Sequence, residues 1–212
     1  MPSDFPFFAQ WIRVRTSHRG IAMPTATLTR SARYGQSLSF FKGLLVASTA
    51  TPFVPAAFAV PLRLATPEFT LRMLTLDDVI KDYEAVMSSV SHLRKVWPDG
   101  TWPEGLTLRQ NLTDLGWHEK EFQHRQSFTY TVLSPSEERA VGCVYVYPST
   151  KVGHDAEVYL WARQSELESG LEERLYDTVK NWLRKDWPFA SVAFPGRSVT
   201  WDAWNAKADQ LR

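Results

Sequence analysis

The sequence predicts an α/β (α+β) domain built on a mixed, largely antiparallel sheet flanked by helices. Three observations carry this. Strand-forming runs follow one another through residues 127–164, separated only by turn-forming residues, the pattern of an antiparallel meander. Apolar residues at helical spacing bracket that block on both sides. The last strand follows a helix, so it joins the sheet by a crossover and pairs in parallel.

The elements follow in order. "FTLRML", residues 69–74, alternates Phe69, Leu71 and Met73 with Thr70, Arg72 and Leu74 and reads as a strand. Thr75 with Asp78 approximates a capping box and starts a helix through about Ser88. "WPDGTWPEGL", 97–106, is a turn-rich loop. Thr107 with Gln110 is a second capping box, and Leu108, Leu112, Leu115 and Phe122 carry a helix to about Arg125. Two strands lie within 127–149, around the turn Ser134 to Glu138, and a third spans 154–164. Leu171, Leu175, Val179, Trp182 and Leu183 mark an amphipathic helix that must stop before Pro188. "FASVAF", 189–194, is the last strand, closed by Pro195 and Gly196, and the tail from Thr200 reads as one short helix.

The chain has 212 residues, 44% hydrophobic and 22% charged, enough for one well-buried domain. Formal net charge is +1, which leaves no nucleic-acid footprint. The charge is unevenly placed. Residues 1–67 hold seven of the 24 Lys and Arg and one of the 23 Asp and Glu, leaving −5 on the remainder. We therefore expect a basic leader over residues 1–60 and a domain over 61–212. Lys42, the apolar stretch 43–59 and "AFA" at Ala57–Ala59 resemble a cleaved signal, but Pro52 and Pro55 interrupt its apolar core. The alternatives are a disordered leader and a cytoplasmic protein, or a signal and an exported or organellar one. Cys143 is alone, inside a run of strand-formers, and reads as a small buried apolar residue.

The element order, with "EVYLWARQSELESGLEERL" at 157–175 as its hinge, resembles the GCN5-related N-acetyltransferase (GNAT) family over about residues 66–197. "FTLRMLTLDDV" resembles the family's opening strand and helix, "AVGCVYVYP" its third strand and "AEVYLWAR" its fourth. More narrowly, "DYEAVMSS", "FTYTVLSP", "GCVYVYP" and "DWPF" resemble a bacterial branch of GNAT-like proteins. The resemblance implies acetyl-CoA as cofactor, lying in a splay between the fourth strand, 157–163, and the fifth, 189–194. It implies a pantetheine arm on the backbone of Tyr159, Trp161, Ala162 and Arg163. The pyrophosphate would lie on the turn at Gly170 and Leu171, where free N–H groups and the positive end of the helix dipole attract an anion. The acceptor would be a small-molecule or peptide amine, and Glu157 would be the general base.

The sequence departs from the family's Gln/Arg-x-x-Gly-x-Gly/Ala pattern, with Glu168 and Glu172 where glycines are usual. A carboxylate beside a diphosphate repels it by roughly 1 kcal/mol per close pair in water, and more where water is excluded. Those acids also suit an ordinary helix start, since Glu166, Glu168, Glu172 and Glu173 lie at one end and Lys180, Arg184 and Lys185 at the other. For Glu157 the plain reading is a solvent-facing or edge-strand carboxylate. The family's general-acid tyrosine has no counterpart in the tail, which offers Trp201 and Trp204. A closing C-terminal hairpin is not expected. The runner-up function is therefore a non-catalytic GNAT-like ligand- or partner-binding protein.

No other constellation rises above structure. His118 and His124 stand six apart, off the spacing of a helical metal site, and read as a solvated face. His154 reads as a turn residue rather than one reaching the cleft, and His92 with Arg94, Lys95 and Arg109 reads as surface rather than as contacts to an acidic ligand. Trp97, Trp102 and Trp117 either pack a core or line a pocket.

Overall fold

The computed structural model describes residues 52–98 and 100–210. Its strands are β1 (Arg63–Ala65), β2 (Thr70–Met73), β3 (Phe128–Leu133), β4 (Ala140–Pro148), β5 (Ala156–Ala162) and β6 (Val192–Ala193). Its helices are α1 (Val79–Met87), α2 (Val90–Val96), α3 (Leu108–Gln123), α4 (Leu171–Asp186) and α5 (Trp201–Ala206). The strands lie in sequence order across one sheet. Every neighbouring pair is antiparallel except β5–β6, which the crossover helix α4 makes parallel. The expected mixed sheet is thus the observed one.

Local chemistry sets the helix ends. Thr75 and Asp78 form a capping box that opens a single 3-10 turn ahead of α1, and Thr107 with Gln110 does the same for α3. The α4 helix ends at Trp187, whose extended backbone precedes Pro188. Two elements escape the sequence pattern. The β1 strand is three residues with an exposed–intermediate–exposed profile, too short to show alternation. The α2 helix buries only Leu93, so no apolar stripe betrays it; its N-cap Ser89 makes no side-chain capping bond and donates its hydroxyl back to Ala85 O of α1, 2.7 Å away. The expected strand 189–194 shrinks to Val192–Ala193. Its first residues are held differently: Asp155 Oδ2 accepts the N–H groups of Ala190 and Ser191 at 2.6 and 2.8 Å.

Each face of the sheet carries its own core. On one side α4 packs Leu175, Val179, Trp182 and Leu183 against Val144, Val146, Val158 and Leu160. On the other, Leu74, Val86, Leu93, Trp97 and Leu115 meet Cys143, Tyr145, Tyr147, Tyr159 and Trp161. Period-two alternation along β4 and β5 does this sorting. Cys143 is fully buried, as expected, and burial pushes its thiol pKa up. Packing begins ahead of residue 61. Val54 is buried, Phe53 stacks on Phe128 and Phe189, and Arg125 donates to the carbonyls of Pro55 and Phe58. Of the leader expected over residues 1–60, residues 1–51 lie outside the described residues. Among those described, no helix is long and apolar enough to cross a membrane.

Candidate cofactor cleft

The β5 and β6 strands pair at Ala156–Val192 and Glu157–Ala193, and no further pairing between them follows. Beyond that point the chain leaves the sheet through Phe194, Pro195 and Gly196. Gly196 has φ +79°, and a Cβ there would lie 2.7 Å from the Trp201 indole nitrogen, so the turn requires glycine. The turn closes with Gly196 N–H on Val199 O at 2.7 Å and leaves a wedge between β5 and the returning segment.

The wedge has a defined polar inventory. Arg163 N–H donates to Val141 O of β4 at 2.7 Å. Alternation then turns the backbone groups of Tyr159, Trp161 and Arg163 toward β4 and those of Leu160 and Ala162 toward the wedge. The Ala162 N–H donates to Glu172 Oε2 at 2.9 Å. The same oxygen lies 2.6 Å from His92 Nε2, and Oε1 lies 2.6 Å from Arg197 Nη2. One carboxylate on the first turn of α4 thus joins β5, α2 and the segment after β6. Burial alone would raise the Glu172 carboxyl; His92, the Ala162 N–H and Arg197 outweigh it and hold the pKa at about 2. The seat therefore favours an anion strongly.

Further along β5, Trp201 stacks on Tyr159 with ring centres 6.1 Å apart and planes 12° apart. Glu157 sits beside that stack. It is 2% exposed and accepts from Thr150 N–H, Thr150 Oγ1 and Tyr159 Oη at 2.8, 2.9 and 3.0 Å. The plain expectation of a solvent-facing or edge carboxylate is overturned, because β5 is flanked by β4 and β6 at this residue.

No protein-family model matches this sequence, and no curated protein matches it. Among solved structures, a probable acetyltransferase superposes with a TM-score of 0.53 at 13% identity, over 62% of this chain and 72% of that one. The chain has a GNAT-like fold. The ribosomal-protein-S5-alanine acetyltransferase of Vibrio fischeri is 15% identical over 59% of this chain and 68% of its own, with a TM-score of 0.49. The ribosomal L7/L12 α-N-protein acetyltransferase in complex with coenzyme A is 14% identical over 60% and 70%, with a TM-score of 0.47.

In this GNAT-like frame the expected cofactor residues divide. Ala162 faces the wedge. The backbone of Tyr159, Trp161 and Arg163 faces β4 instead. The Arg163 side chain turns to α1, bonding Ser88 Oγ and Glu84 at 2.9 Å each. Ser89 Oγ accepts the Gln164 N–H at 3.0 Å, tacking the turn to the same helix end. Gly170 is the left-handed N-cap of α4, φ 74°, and the Arg174 guanidinium curls back to Ser169 O at 2.7 Å. Leu171 is buried against the α4-side core. Of the two glutamates that break the family pattern, Glu168 is exposed and Glu172 points inward.

The sequence leaves His92 between surface and contact with an acidic group, and the structure gives it a carboxylate partner within the chain. Arg197 is not singled out by the sequence, since it follows a turn whose direction no local pattern encodes. A third departure lies beneath α1 and α3. Asp82, Asn111, Asp114, His118 and Tyr145 line a small polar cavity with Trp102. Asn111 donates to Asp82 Oδ2 at 2.9 Å. Burial raises the Asp82 pKa to about 6, despite the Asn111 bond, and lowers that of His118 to about 4. His118 is 7% exposed, so the solvated face expected for it is wrong: it packs against Tyr145 and meets Thr129 Oγ1 at 3.3 Å. Among the described residues no group of His, Cys, Asp and Glu is disposed to hold a metal.

Proposed function

We propose that the domain is an acetyl-CoA-dependent N-acyltransferase acting on a small-molecule or peptide amine. The observation that supports this reading is the anion seat in the β5–β6 wedge. An inward backbone N–H at Ala162, a guanidinium at Arg197 and an imidazole at His92 converge there, where the family resemblance puts the cofactor. The α4 N-terminus opens beside it behind Gly170, adding N–H groups and the positive end of the dipole. Arg197 and the Ala162 N–H would hold a cofactor oxygen, and the bound thioester supplies the activated acyl group. Glu157 would take the acceptor's proton, directly or by way of the Tyr159 hydroxyl that donates to it at 3.0 Å. Direct attack by the amine would form the amide as the thioester C–S bond breaks and the thiol leaves with a proton, so no protein nucleophile is needed, and the buried Cys143 offers none.

A second reading, a non-catalytic binding protein on the same scaffold, is favoured by the Tyr159–Trp201 stack, which packs a ring against Tyr159 where Glu157 accepts its hydroxyl. Thermal unfolding in millimolar CoA or acetyl-CoA separates the two. Ligand at about 100 times its Kd adds roughly 2.7 kcal/mol of stability. The enzyme reading expects a rise in Tm; no rise at millimolar cofactor favours the binding protein.

A further inference from the structure

We infer that Glu172 is a built-in competitor for the cofactor: its carboxylate occupies the anion seat of Ala162, His92 and Arg197 and must leave before an external anion can enter. This rests on the cofactor reading above and adds the control of that site.

The helix does not need this carboxylate for its dipole. Glu168 and Glu173 stand at the same helix end and are exposed, and acids there already complement the N-terminus. Glu172 instead carries a charge to 15% side-chain exposure, next to Arg197 at 18% and His92 at 12%. Such burial is unfavourable unless each charge is met, and both carboxylate oxygens are met by groups outside α4. The three partners belong to elements brought together only by the tertiary fold. They present two donors and a third ring nitrogen to one point, which is what an anionic ligand would require. Arg197 also approaches Leu160 O at 3.4 Å, so the latch lies along the inward edge of β5.

The consequence is a lowered apparent affinity. Cofactor binding has to break the carboxylate's contacts, and the observed Kd is the intrinsic one divided by the fraction of molecules with the seat vacated. Because the Glu172 side chain roots on the first turn of α4, rotation toward the exposed Glu173 would vacate the seat without unfolding the helix.

The experiment compares the full chain with E172A and E172Q in two readouts. Hydrogen exchange of the Ala162 amide, without ligand, reports the latch alone. Calorimetric titration with CoA reports the competition. In E172A the Ala162 amide should exchange at least about tenfold faster and CoA should bind at least about tenfold tighter. E172Q should fall between, since its amide oxygen still accepts from Ala162 while its charge is gone; it also serves if E172A folds poorly. Unchanged Ala162 exchange in both variants would overturn the latch. Equal CoA affinity in wild type and variants, or weaker affinity in the variants, would overturn the competition and leave the cofactor reading standing. No CoA binding by any of the three, with the amide exposed in E172A, would overturn both.

Discussion

The two faces of the sheet are filled by different chemistry. Against α4 the buried layer is aliphatic and aromatic, with Leu175, Val179, Leu183 and the Trp182–Trp187 pair closing over β3, β4 and β5. Its buried tyrosine, Tyr130, donates its hydroxyl to Pro61 O. Against α1 and α3 the layer includes Asp82, Asn111, Asp114 and His118 and a run of rings from Trp102 through Trp97 to Tyr145 and Tyr147. Burying apolar area stabilises a fold, whereas burying ionisable groups costs free energy unless they are paired. One face thus supplies stability, and the other holds groups whose protonation responds to their surroundings. Glu172 sits on the first turn of the stabilising helix yet reaches His92 on the other side, so the latch ties the two halves together.

Truncations sharpen this contrast first. Leu183→Ala, at a fully buried site, should lower unfolding free energy by about 3 kcal/mol, within the 2–5 usual for such cavities. Leu115 borders the polar cavity, so Leu115→Ala should cost less, roughly 2 kcal/mol. Equal losses in denaturant titrations would remove the distinction between the faces.

Acid comes next. The Glu172 pKa lies near 2, below its ordinary 4.5. Its contribution is therefore present above pH 4.5 and lost as pH falls toward 2. Allowing for its partial exposure, that is roughly 2 kcal/mol. E172Q should show a shallower loss than wild type across that window, and parallel curves would deny the charge its role.

Asp82 and His118 oppose each other, so their effect in the wild type is smaller. The Asp82 pKa, raised from 3.8 to about 6, makes the fold gain stability as pH falls through that interval. The His118 pKa, lowered from 6.5 to about 4, makes it lose stability over nearly the same range. The two slopes should largely cancel. D82N should leave the His118 loss exposed and steepen acid destabilisation by about 1–2 kcal/mol between pH 6.5 and 4, and H118Q should reverse the sign. Matching pH profiles for both variants would contradict this. The smallest effect is expected at Glu168: Glu168→Gln should change stability by less than about 0.5 kcal/mol and leave CoA binding alone.

Much of the fold was legible because its long elements repeat a period. The alternation in β3, β4 and β5 and the stripe of α4 are long enough to sort residues between faces, and Thr75 and Thr107 announce helix starts by their own side chains. The α2 helix was not legible, since a seven-residue helix burying Leu93 alone has no stripe. The hinge at 157–175 was legible as a strand running into a helix, with Glu168 and Glu172 on the turn between them. Which of them turns inward depends on His92, 80 positions away, and on Arg197, 25 away; no local pattern carries that. His118 misled because a polar residue on a polar-looking helix was assigned to solvent, while Thr129 and Tyr145 receive it from the sheet.

The central claim is that a cofactor enters the β5–β6 wedge by taking the Ala162 N–H from Glu172. Titrating 15N-labelled wild-type protein with CoA and following the Ala162 amide resonance tests it most directly. The account predicts that this resonance moves as the cofactor is added, together with the Arg197 side-chain signal, while the amide of Leu183 across the core stays still. An Ala162 resonance unmoved at millimolar CoA would contradict it.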